Sequence, residues 1–290
     1  MKIRGCLLGV IIGALLMAVT AWLVSDFDFS TKGNRVGQID VKGTILNSQD
    51  TVKQIKEWRN DSSIKAIVVR IDSPGGAVGP SQEIYREIRR TTGTKPVVAS
   101  MGSIAASGGY YIASAASYIV ANPGTITGSI GVIISFPNLK ELLGKIGYQM
   151  TTIKSGQFKD IGNFARDMTP EEKQLLQSTI DETYRQFVRD VAAGRNLPEE
   201  EVRKVADGRI IMGEKALELK LVDQLGNFED ALAKAGELAK ISGEPNVVSA
   251  KKKKLSLLDL IIGSDVGDRV SDFIYDSSAF VRYQLPVLDR

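Results

Sequence analysis

Two hydrophobic periodicities alternate along the central part of the chain. The short β-branched run at 64–71 is typical of a strand that is buried on both faces. Further strands are predicted at 35–46, 96–100, 118–121, 130–135 and 149–154, and helices at 50–59, 80–90, 107–116 and 139–146. Strands that alternate with helices of about ten residues predict βαβ units and a mostly parallel sheet, so the fold class is α/β.

The second half of the chain is predicted to be helical and then to change in character. Thr169 suits an N-cap and Pro170 suits the first helical position, so a long helix is expected from there to about 194. Two shorter helices are expected near 198–206 and 227–242. The tail at 251–290 begins with four lysines and continues with apolar stretches. It is expected to be a membrane-surface segment or part of an oligomer contact.

The N-terminal segment combines basic residues with a long uncharged run. Lys2 and Arg4 precede the run at 7–24, which with its two flanking residues is about 20 residues long, enough to cross a hydrocarbon core. The predicted order is a cytoplasmic segment at 1–4, a transmembrane anchor at 5–24, a linker at 25–34 and an exported domain at 35–250. The alternative is a cleaved signal peptide, with the small-residue stretch 19–21 as its site.

The amino-acid composition excludes several kinds of partner, catalytic site and metal site. The 290 residues carry 37 Lys+Arg against 34 Asp+Glu, and a net charge of +3 spread along the chain argues against a nucleic-acid partner. Histidine is absent and Cys6 is the only cysteine, which excludes histidine-based triads, histidine metal sites, internal disulfides and Cys-rich zinc sites. A hydrolase of this composition must use Lys, Asp, Glu, Tyr or an N-terminal amine as its base.

A serine at the start of the helix predicted at 107–116 is the first candidate for chemistry. Ser107 follows a strand and is flanked by alanine and glycine, so a substrate could reach its hydroxyl beside the N–H groups of a helix N-terminus. The alternative is that the Ala-Ala-Ser-Gly-Gly stretch only lets the helix pack closely on a neighbour. This segment alone leaves both possibilities open.

Two further segments could complete such a site. The Ser-Pro-Gly-Gly stretch at 73–76 follows the buried strand, and its glycines can aim N–H groups at developing negative charge, unless it is an ordinary turn. Lys154 and Lys159 lie at and beyond the end of the strand predicted at 149–154. A buried lysine can act as a base once burial favours its neutral amine, although most lysines are solvated surface residues.

The order of four short motifs points to a family. They are Ser-Pro-Gly-Gly, Ala-Ser-Gly-Gly-Tyr-Tyr, Thr-Gly-Ser-Ile-Gly-Val and Lys-Ser-Gly-Gln-Phe-Lys-Asp, in that order along the chain. The set resembles the S49 Ser-Lys peptidases of the signal peptide peptidase A type, in their short form with one protease domain, from about 36 to 225. The resemblance implies that Ser107 is the nucleophile and that Lys159, not Lys154, is the general base.

The resemblance also implies further roles. The N–H groups of Gly75 or Gly76, together with that of Gly108, would form the oxyanion hole, and the Ser129 hydroxyl would orient the lysine amine. It implies a ClpP/crotonase-like βαβ superhelix that assembles into a homo-oligomeric ring or dome, with no metal and no cofactor. The expected partners are a membrane, remnant signal peptides and other short apolar peptides.

Three other functions remain open from the sequence. A crotonase-like acyl-CoA enzyme would share the oxyanion turn, although an exported domain argues against a cytosolic CoA substrate. A non-catalytic membrane scaffold is the second alternative. A related membrane Ser-Lys protease that cuts one specific membrane-protein partner is the third.

Overall fold

The computed structural model describes residues 34–249 and 282–284. The predicted anchor at 5–24, most of the linker at 25–34 and nearly all of the tail at 251–290 lie outside these residues. Within the described ranges, no helix is both long enough and apolar enough to span a membrane. The anchor and the domain boundaries therefore stay predictions.

Strands and helices alternate through most of the described chain. The strands are β1 (Arg35–Lys42), β2 (Ile64–Ser73), β3 (Gly75–Ala77), β4 (Val97–Ala105), β5 (Tyr118–Ala121), β6 (Ile126–Gly128), β7 (Ile210–Met212), β8 (Gln224–Leu225), β9 (Asn246–Ser249) and β10 (Arg282–Gln284). The helices are α1 (Gln49–Asn60), α2 (Val78–Thr92), α3 (Gly108–Ala113), α4 (Lys140–Lys145), α5 (Pro170–Arg195), α6 (Glu199–Arg203), α7 (Gly213–Glu218) and α8 (Phe228–Leu238).

Eight of these strands form one mixed sheet that is mostly parallel. The order β7-β6-β4-β2-β1-β9 runs across it, and β5 pairs with both β4 and β8. In the parallel centre, Gly37 lies opposite Ile67, and Ile67 lies opposite Val97. Only β6 and β7 run antiparallel within the described part of this sheet. The predicted α/β class with a mostly parallel sheet is confirmed.

The sheet is covered on both faces. Ile67, Val69 and Ile71 of β2 belong to a large core that also contains Tyr110 and Phe187. The alternate residues Ala66 and Val68 belong to a second core, where they pack with Leu232 of α8. Because successive strand side chains point to opposite faces, burial of the whole run explains why β2 reads as continuous apolar sequence.

The remaining two strands form a separate antiparallel pair. β3 directly follows the end of β2, and Tyr283 of β10 lies opposite Gly76. On its other edge, β3 makes a parallel bridge in which Ile45 lies opposite Gly76. Three residues of the tail, predicted to be a membrane or oligomer contact, therefore pair with the Ser-Pro-Gly-Gly segment.

The strands predicted at 130–135 and 149–154 are wrong. Residues 130–139 and 148–154 form no strand beyond a single bridge residue, Ile133, and they flank the short helix α4. Large apolar side chains in and beside these stretches are exposed, with Ile146 at 68% and Ile153 at 97%. The apolar pattern there marks an uncovered surface of the single chain and not strands within its sheet. Helix α3 is also shorter than the predicted 107–116, and Ser107 immediately precedes it.

Candidate active site

Three of the four motifs meet where β2, β4 and β6 end. The Ala106 N–H donates to the Ser73 carbonyl at 3.1 Å, which fixes the β4–α3 junction against the end of β2. The Ser107 N–H donates to the Gly128 carbonyl at 2.8 Å, which brings Ser129 beside the same junction. The carboxyl ends of neighbouring parallel strands thus collect the candidate residues at one edge of the sheet, where ligands bind in open α/β sheets.

Ser107 occupies a strained turn between β4 and α3. Its φ of 53° and ψ of −117° lie outside the regions that non-glycine residues favour. The residue is 1% exposed, and among the described residues its Oγ has no hydrogen-bond partner. Strain and an unsatisfied buried hydroxyl both destabilise the folded state, and the two coincide most often at functional sites. A serine held on a sharp strand-to-helix turn is the arrangement that exposes a nucleophile to a substrate.

The helix that follows Ser107 is held rigidly in the core. All six residues of α3 are buried. The Tyr110 hydroxyl donates to the Leu221 carbonyl at 2.9 Å, and the Tyr111 hydroxyl donates to the Asp190 carboxylate. A side chain at Gly109 would place its Cβ 2.7 Å from the Ser73 carbonyl oxygen, so only glycine allows this contact between α3 and β2. These contacts hold the Ser107 backbone in place.

The structure distinguishes the two glycines of the predicted oxyanion turn. The Gly75 N–H donates to the Ser73 Oγ at 3.1 Å and is therefore already engaged. The Gly75 carbonyl and the Ala77 N–H both bond to Ile45, each at 2.8 Å. Because backbone groups alternate along a strand, the Gly76 N–H points to the opposite edge of β3. Gly76 is the better placed of the two candidates, because its N–H points outward to the edge of β3 on which β10 lies, whereas the Gly75 N–H is held within its own turn.

Gly108 packs directly against this turn. A Cβ on Gly108 would lie 3.2 Å from both the Gly75 Cα and the Gly76 N, and 2.8 Å from the Ser81 Oγ. The backbones of Gly76 and Gly108 are therefore in near contact. As the first residue of α3, Gly108 has an N–H without an acceptor inside the helix. Two backbone donors thus lie beside Ser107, as an oxyanion hole requires.

Ser129 lies between the turn at Ser107 and a cavity. It is 4% exposed, has a φ of 49°, and donates its N–H to the Arg209 carbonyl at 2.8 Å. The adjoining cavity has a volume of about 400 Å³. Besides Ser129, its walls include apolar side chains from three parts of the chain: Val132, Ile133, Ile180, Tyr184 and Ala206. The cavity is large enough for a bulky apolar side chain of a ligand.

In the fourth motif, Lys159 makes no hydrogen bond with Ser107 among the described residues. Lys159 is on an exposed turn, and its N–H donates to the Gly156 carbonyl at 3.1 Å. Within the described residues, no hydrogen bond or ion pair holds the Lys159 ammonium group, and the Ser107 Oγ has no partner. Lys154 differs, because its ammonium pairs with Asp160 and donates to the Gln157 carbonyl at 2.9 Å. Of the two lysines, Lys159 is the one available to a new partner.

An ion-pair chain anchors the turn that carries Lys159. Arg166 donates to Asp160 at 3.0 Å and to Glu172 at 2.8 Å, and Glu172 accepts the Thr169 N–H in the capping box of α5. Hydrogen bonds from Arg166, and then from Thr169, lower the pKa of Glu172 to about 2. Hydrogen bonds from Arg166 and Lys154 hold the pKa of Asp160 far below its usual range. Asp160 is therefore engaged away from its neighbour Lys159.

Several supporting residues were not predicted from the sequence. Ser73 holds the Gly75 N–H, Ser81 contacts Gly108, and Arg166 joins the lysine turn to α5. The capping pair of Thr169 and Glu172 was the only local signal near them. The contact between Ser81 and Gly108 joins residues 27 positions apart, so no spacing rule predicts it. The Ser73–Gly75 and Arg166–Glu172 contacts are local, but they follow no capping pattern that marks them in the sequence.

Fold and site together define a serine hydrolase of the α/β class, with a candidate nucleophile, Ser107, on a strand-to-helix turn beside two backbone donors. The chain belongs to peptidase family S49, whose model matches residues 89–242, and the Clp protease model matches residues 36–125. It is therefore a serine peptidase with a Clp protease-like fold.

Three relatives illustrate the range of the family. A provisionally named protease of Synechocystis sp. is 44% identical over 244 residues, which cover 84% of this chain and 88% of that protein. Protease 4 of Salmonella typhi is 39% identical, covering 75% of this chain and 38% of the relative. The chloroplastic serine protease SPPA of Arabidopsis thaliana is 36% identical, covering 79% of this chain and 35% of the relative. The chain spans little more than a third of the two longer relatives.

Proposed function

We propose that this chain is a membrane-anchored serine endopeptidase that uses a Ser107–Lys159 dyad to degrade remnant signal peptides. The observation that carries the proposal is the buried, unpartnered Ser107 Oγ on a strained turn beside the Gly76 and Gly108 backbones. Membership of family S49 favours peptide hydrolysis over the acyl-CoA and scaffold alternatives. The uncharged run at 7–24 supports the anchor and a catalytic domain outside the cytoplasm.

The proposed reaction is acyl transfer without a metal or cofactor. Neutral Lys159 accepts the hydroxyl proton as the Ser107 Oγ attacks the peptide carbonyl carbon. The oxygen of the tetrahedral intermediate accepts hydrogen bonds from the Gly76 and Gly108 N–H groups, and one such donor contributes about 2.7–4 kcal/mol. Lys159 then protonates the leaving amine, and water attacks the acyl-enzyme by the same route. Ser129 orients the lysine amine.

The cavity beside Ser129 indicates the kind of peptide. Its apolar walls and volume of about 400 Å³ suit an aliphatic or aromatic side chain near the scissile bond. Signal peptide remnants are rich in such side chains. The same preference would serve a protease that cuts one membrane-protein partner, so the peptide products decide between these substrates. Mapping the products of a peptide mixture with wild type and Ser107→Ala separates broad apolar cleavage from cleavage of a single sequence.

Packing of several copies of the chain would bring Lys159 of one copy to Ser107 of another. Exposed apolar side chains occur in the segment that precedes the turn of Lys159, including Leu142 at 56%, Ile146 at 68% and Ile153 at 97%. So large an apolar surface on one chain is typical of a protein–protein contact. We infer that copies of the chain pack through this surface in a ring or dome, and that Lys159 of one copy approaches Ser107 of the next.

A mixing experiment tests both the dyad and its assembly. Ser107→Ala and Lys159→Ala are each expected to be inactive as separate proteins. Co-assembled in equal amounts, they should regain activity, because on the order of a quarter of the contacts in a cyclic assembly would join an intact serine to an intact lysine. Lys154→Ala is the matched control and should stay active. No recovery on mixing refutes a shared site, and an active Lys159→Ala protein refutes the dyad.

A further inference from the structure

The edge of the sheet opposite Ser107 carries a cluster of positive charges. Strands β1, β2 and β4 are parallel, so all three begin at this edge, and the crossover helices α1 and α2 end there. This basic edge consists of five residues at or beside the strand starts and the helix ends: Arg35, Arg59, Lys65, Arg90 and Lys95.

Contacts among the described residues bring these cations together. The Lys95 ammonium donates to a carbonyl in the last turn of α1 at 2.6 Å, which joins the start of β4 to the end of that helix. Arg59 and Arg90 both pair with the carboxylate of Glu87. Burial lowers the pKa of Lys95, and the nearby charge of Lys65 acts in the same direction. The five residues therefore form one surface.

Positive charge predominates on this surface and is accessible. Two carboxylates of the described residues, those of Asp61 and Glu87, interact with the five cations. The side chain of Arg90 is 69% exposed, and Lys65 is also exposed. Positive charge at a helix end complements the helix dipole, but Arg35 and Lys65 lie on strands, where this explanation does not apply.

The chain also enters the domain at the basic edge. The predicted anchor ends at residue 24, and β1 begins at Arg35. The stretch 25–34 spans at most about 36 Å, because an extended chain advances by about 3.3–3.6 Å per residue. The anchor would therefore keep the basic edge close to the membrane surface. Anionic lipid headgroups attract clustered Lys and Arg side chains within about a Debye length, ~8–10 Å.

We propose that the basic edge docks on anionic lipid headgroups and so orients the catalytic domain on the membrane. The proposal rests on the proposed function, because it takes the anchor at 5–24 as the element that brings this edge to the bilayer. Strand β2 runs from the basic edge to Ser73 beside Ser107, a distance of about 30 Å at ~3.3 Å per residue. Docking would therefore hold the candidate nucleophile about 30 Å from the headgroups, and a peptide would have to leave the bilayer to reach it.

Fluorescence energy transfer to labelled lipids tests the orientation in the full-length protein. In a Cys6→Ser background, a donor dye is attached at the basic edge through Ser62→Cys, or at the opposite edge through Asn47→Cys; both positions are exposed. The protein is reconstituted into vesicles of phosphatidylcholine, alone or mixed with phosphatidylglycerol, that carry a headgroup acceptor. In the anionic vesicles, transfer from position 62 should be at least about twofold more efficient than from position 47, because about 30 Å separates the two edges. The difference should collapse in neutral vesicles and in about 1 M salt.

Two matched double variants identify the residues responsible. Lys65→Gln/Arg90→Gln removes two cations from the basic edge, which weakens attraction to an anionic surface about 25-fold at about fivefold for each charge. It should abolish the difference between the two dye positions. Lys42→Gln/Lys53→Gln removes the same charge from exposed side chains toward the opposite edge and should keep the difference. If transfer from position 62 does not depend on lipid charge, or if the two double variants behave alike, the docking proposal is overturned.

Vesicle flotation separates this proposal from the proposed function. Protein that floats with phosphatidylcholine vesicles is held by its anchor. Protein that floats only with phosphatidylglycerol vesicles, less so as Lys65→Gln/Arg90→Gln, would overturn the anchor and support docking; the lysines at 251–254 are intact in both double variants and do not produce this difference. Flotation with both kinds of vesicle, without any dependence of energy transfer on lipid charge, would overturn docking and leave the anchor. Flotation with neither would overturn both. Peptide hydrolysis enters neither measurement, so its absence would overturn only the peptidase.

Discussion

Gly76→Ala is expected to abolish most of the activity through a steric effect that the structure defines closely. The added Cβ would lie 2.3 Å from the Ile45 carbonyl oxygen and 2.5 Å from the Ile45 N. These are backbone atoms of a bridged segment, so no side-chain rotation relieves the contact. Either β3 or the chain at Ile45 must shift, by about an ångström at these distances, and the Gly76 N–H moves with it. A displacement of this size at a reacting centre costs about a hundredfold in rate.

The magnitude agrees with the loss of one oxyanion donor. Removing such a donor lowers kcat by about a hundred- to a thousandfold, which corresponds to about 2.7–4 kcal/mol of transition-state stabilisation. The assay is kcat on a short apolar peptide, with thermal unfolding measured on the same samples. Gly79→Ala in α2 is the matched control, because its Cβ would meet no atom within 4 Å. It should keep wild-type kcat and be slightly more stable, as helical Gly→Ala changes generally are.

One result would refute this reasoning about Gly76. If Gly76→Ala unfolds at the wild-type temperature and retains kcat within about twofold, the glycine neither needs its close approach to Ile45 nor supplies a donor to the transition state. If the variant is less stable, circular dichroism at the assay temperature measures the folded fraction, and kcat is then expressed per folded molecule. A normal kcat per folded molecule would refute the donor assignment equally well.

Three further predictions concern the nucleophile, the base and the lysine turn. Ser107→Ala should be inactive yet as stable as wild type or about 1 kcal/mol more stable, since it removes a buried hydroxyl without a partner; calorimetry that shows clear destabilisation contradicts this. The kcat/KM profile should rise through one group toward alkaline pH, and Ser129→Ala should lower activity less than Lys159→Ala; an acid optimum would indicate a carboxylate base. The folded-state pKa of Glu172 is depressed to about 2, whereas its pKa in the unfolded chain is near 4.5. Ionised Glu172 therefore stabilises the fold fully above pH 4.5, and this stabilisation is lost as pH falls toward 2. Denaturant unfolding followed by circular dichroism should therefore give a larger free energy of unfolding for wild type than for Arg166→Ala above pH 5, and the difference should shrink as pH falls toward 2.

Local patterns in the sequence predicted the parts of the fold that depend on local physics. The β-branched run of β2, the Thr169–Pro170 helix start and the alternation of strands with helices each follow from propensity and burial, and each is observed. The glycine segments at 73–76 and 107–109 were also recognisable, because close backbone contact requires residues without side chains. These features were enough to bring Ser107 and Gly76 into one candidate site.

Between Gly131 and Thr169 the short helix α4 was predicted and is observed, but the two strands predicted there are not. The apolar residues of this segment resemble those of strands, but Ile146 and Ile153 are exposed in the single chain. The pattern shows that these residues are apolar, but it does not show whether they are buried within the same chain or against another molecule. The pairing of β10 with β3 was missed for a related reason, because it joins Tyr283 to Gly76 across about two hundred residues of sequence.

The full burial of α3 has a consequence for how Ser107 and Lys159, the two proposed catalytic residues, would fluctuate. Amide hydrogens of a helix enclosed by the core exchange with solvent only through large unfolding events, whereas those of an exposed turn exchange through small local openings. Exchange near Ser107 should therefore be limited by global stability, and exchange around Lys159 should be much faster in the isolated chain. The proposed nucleophile would then be preorganised at all times, and the timing of catalysis would depend on when Lys159 reaches it.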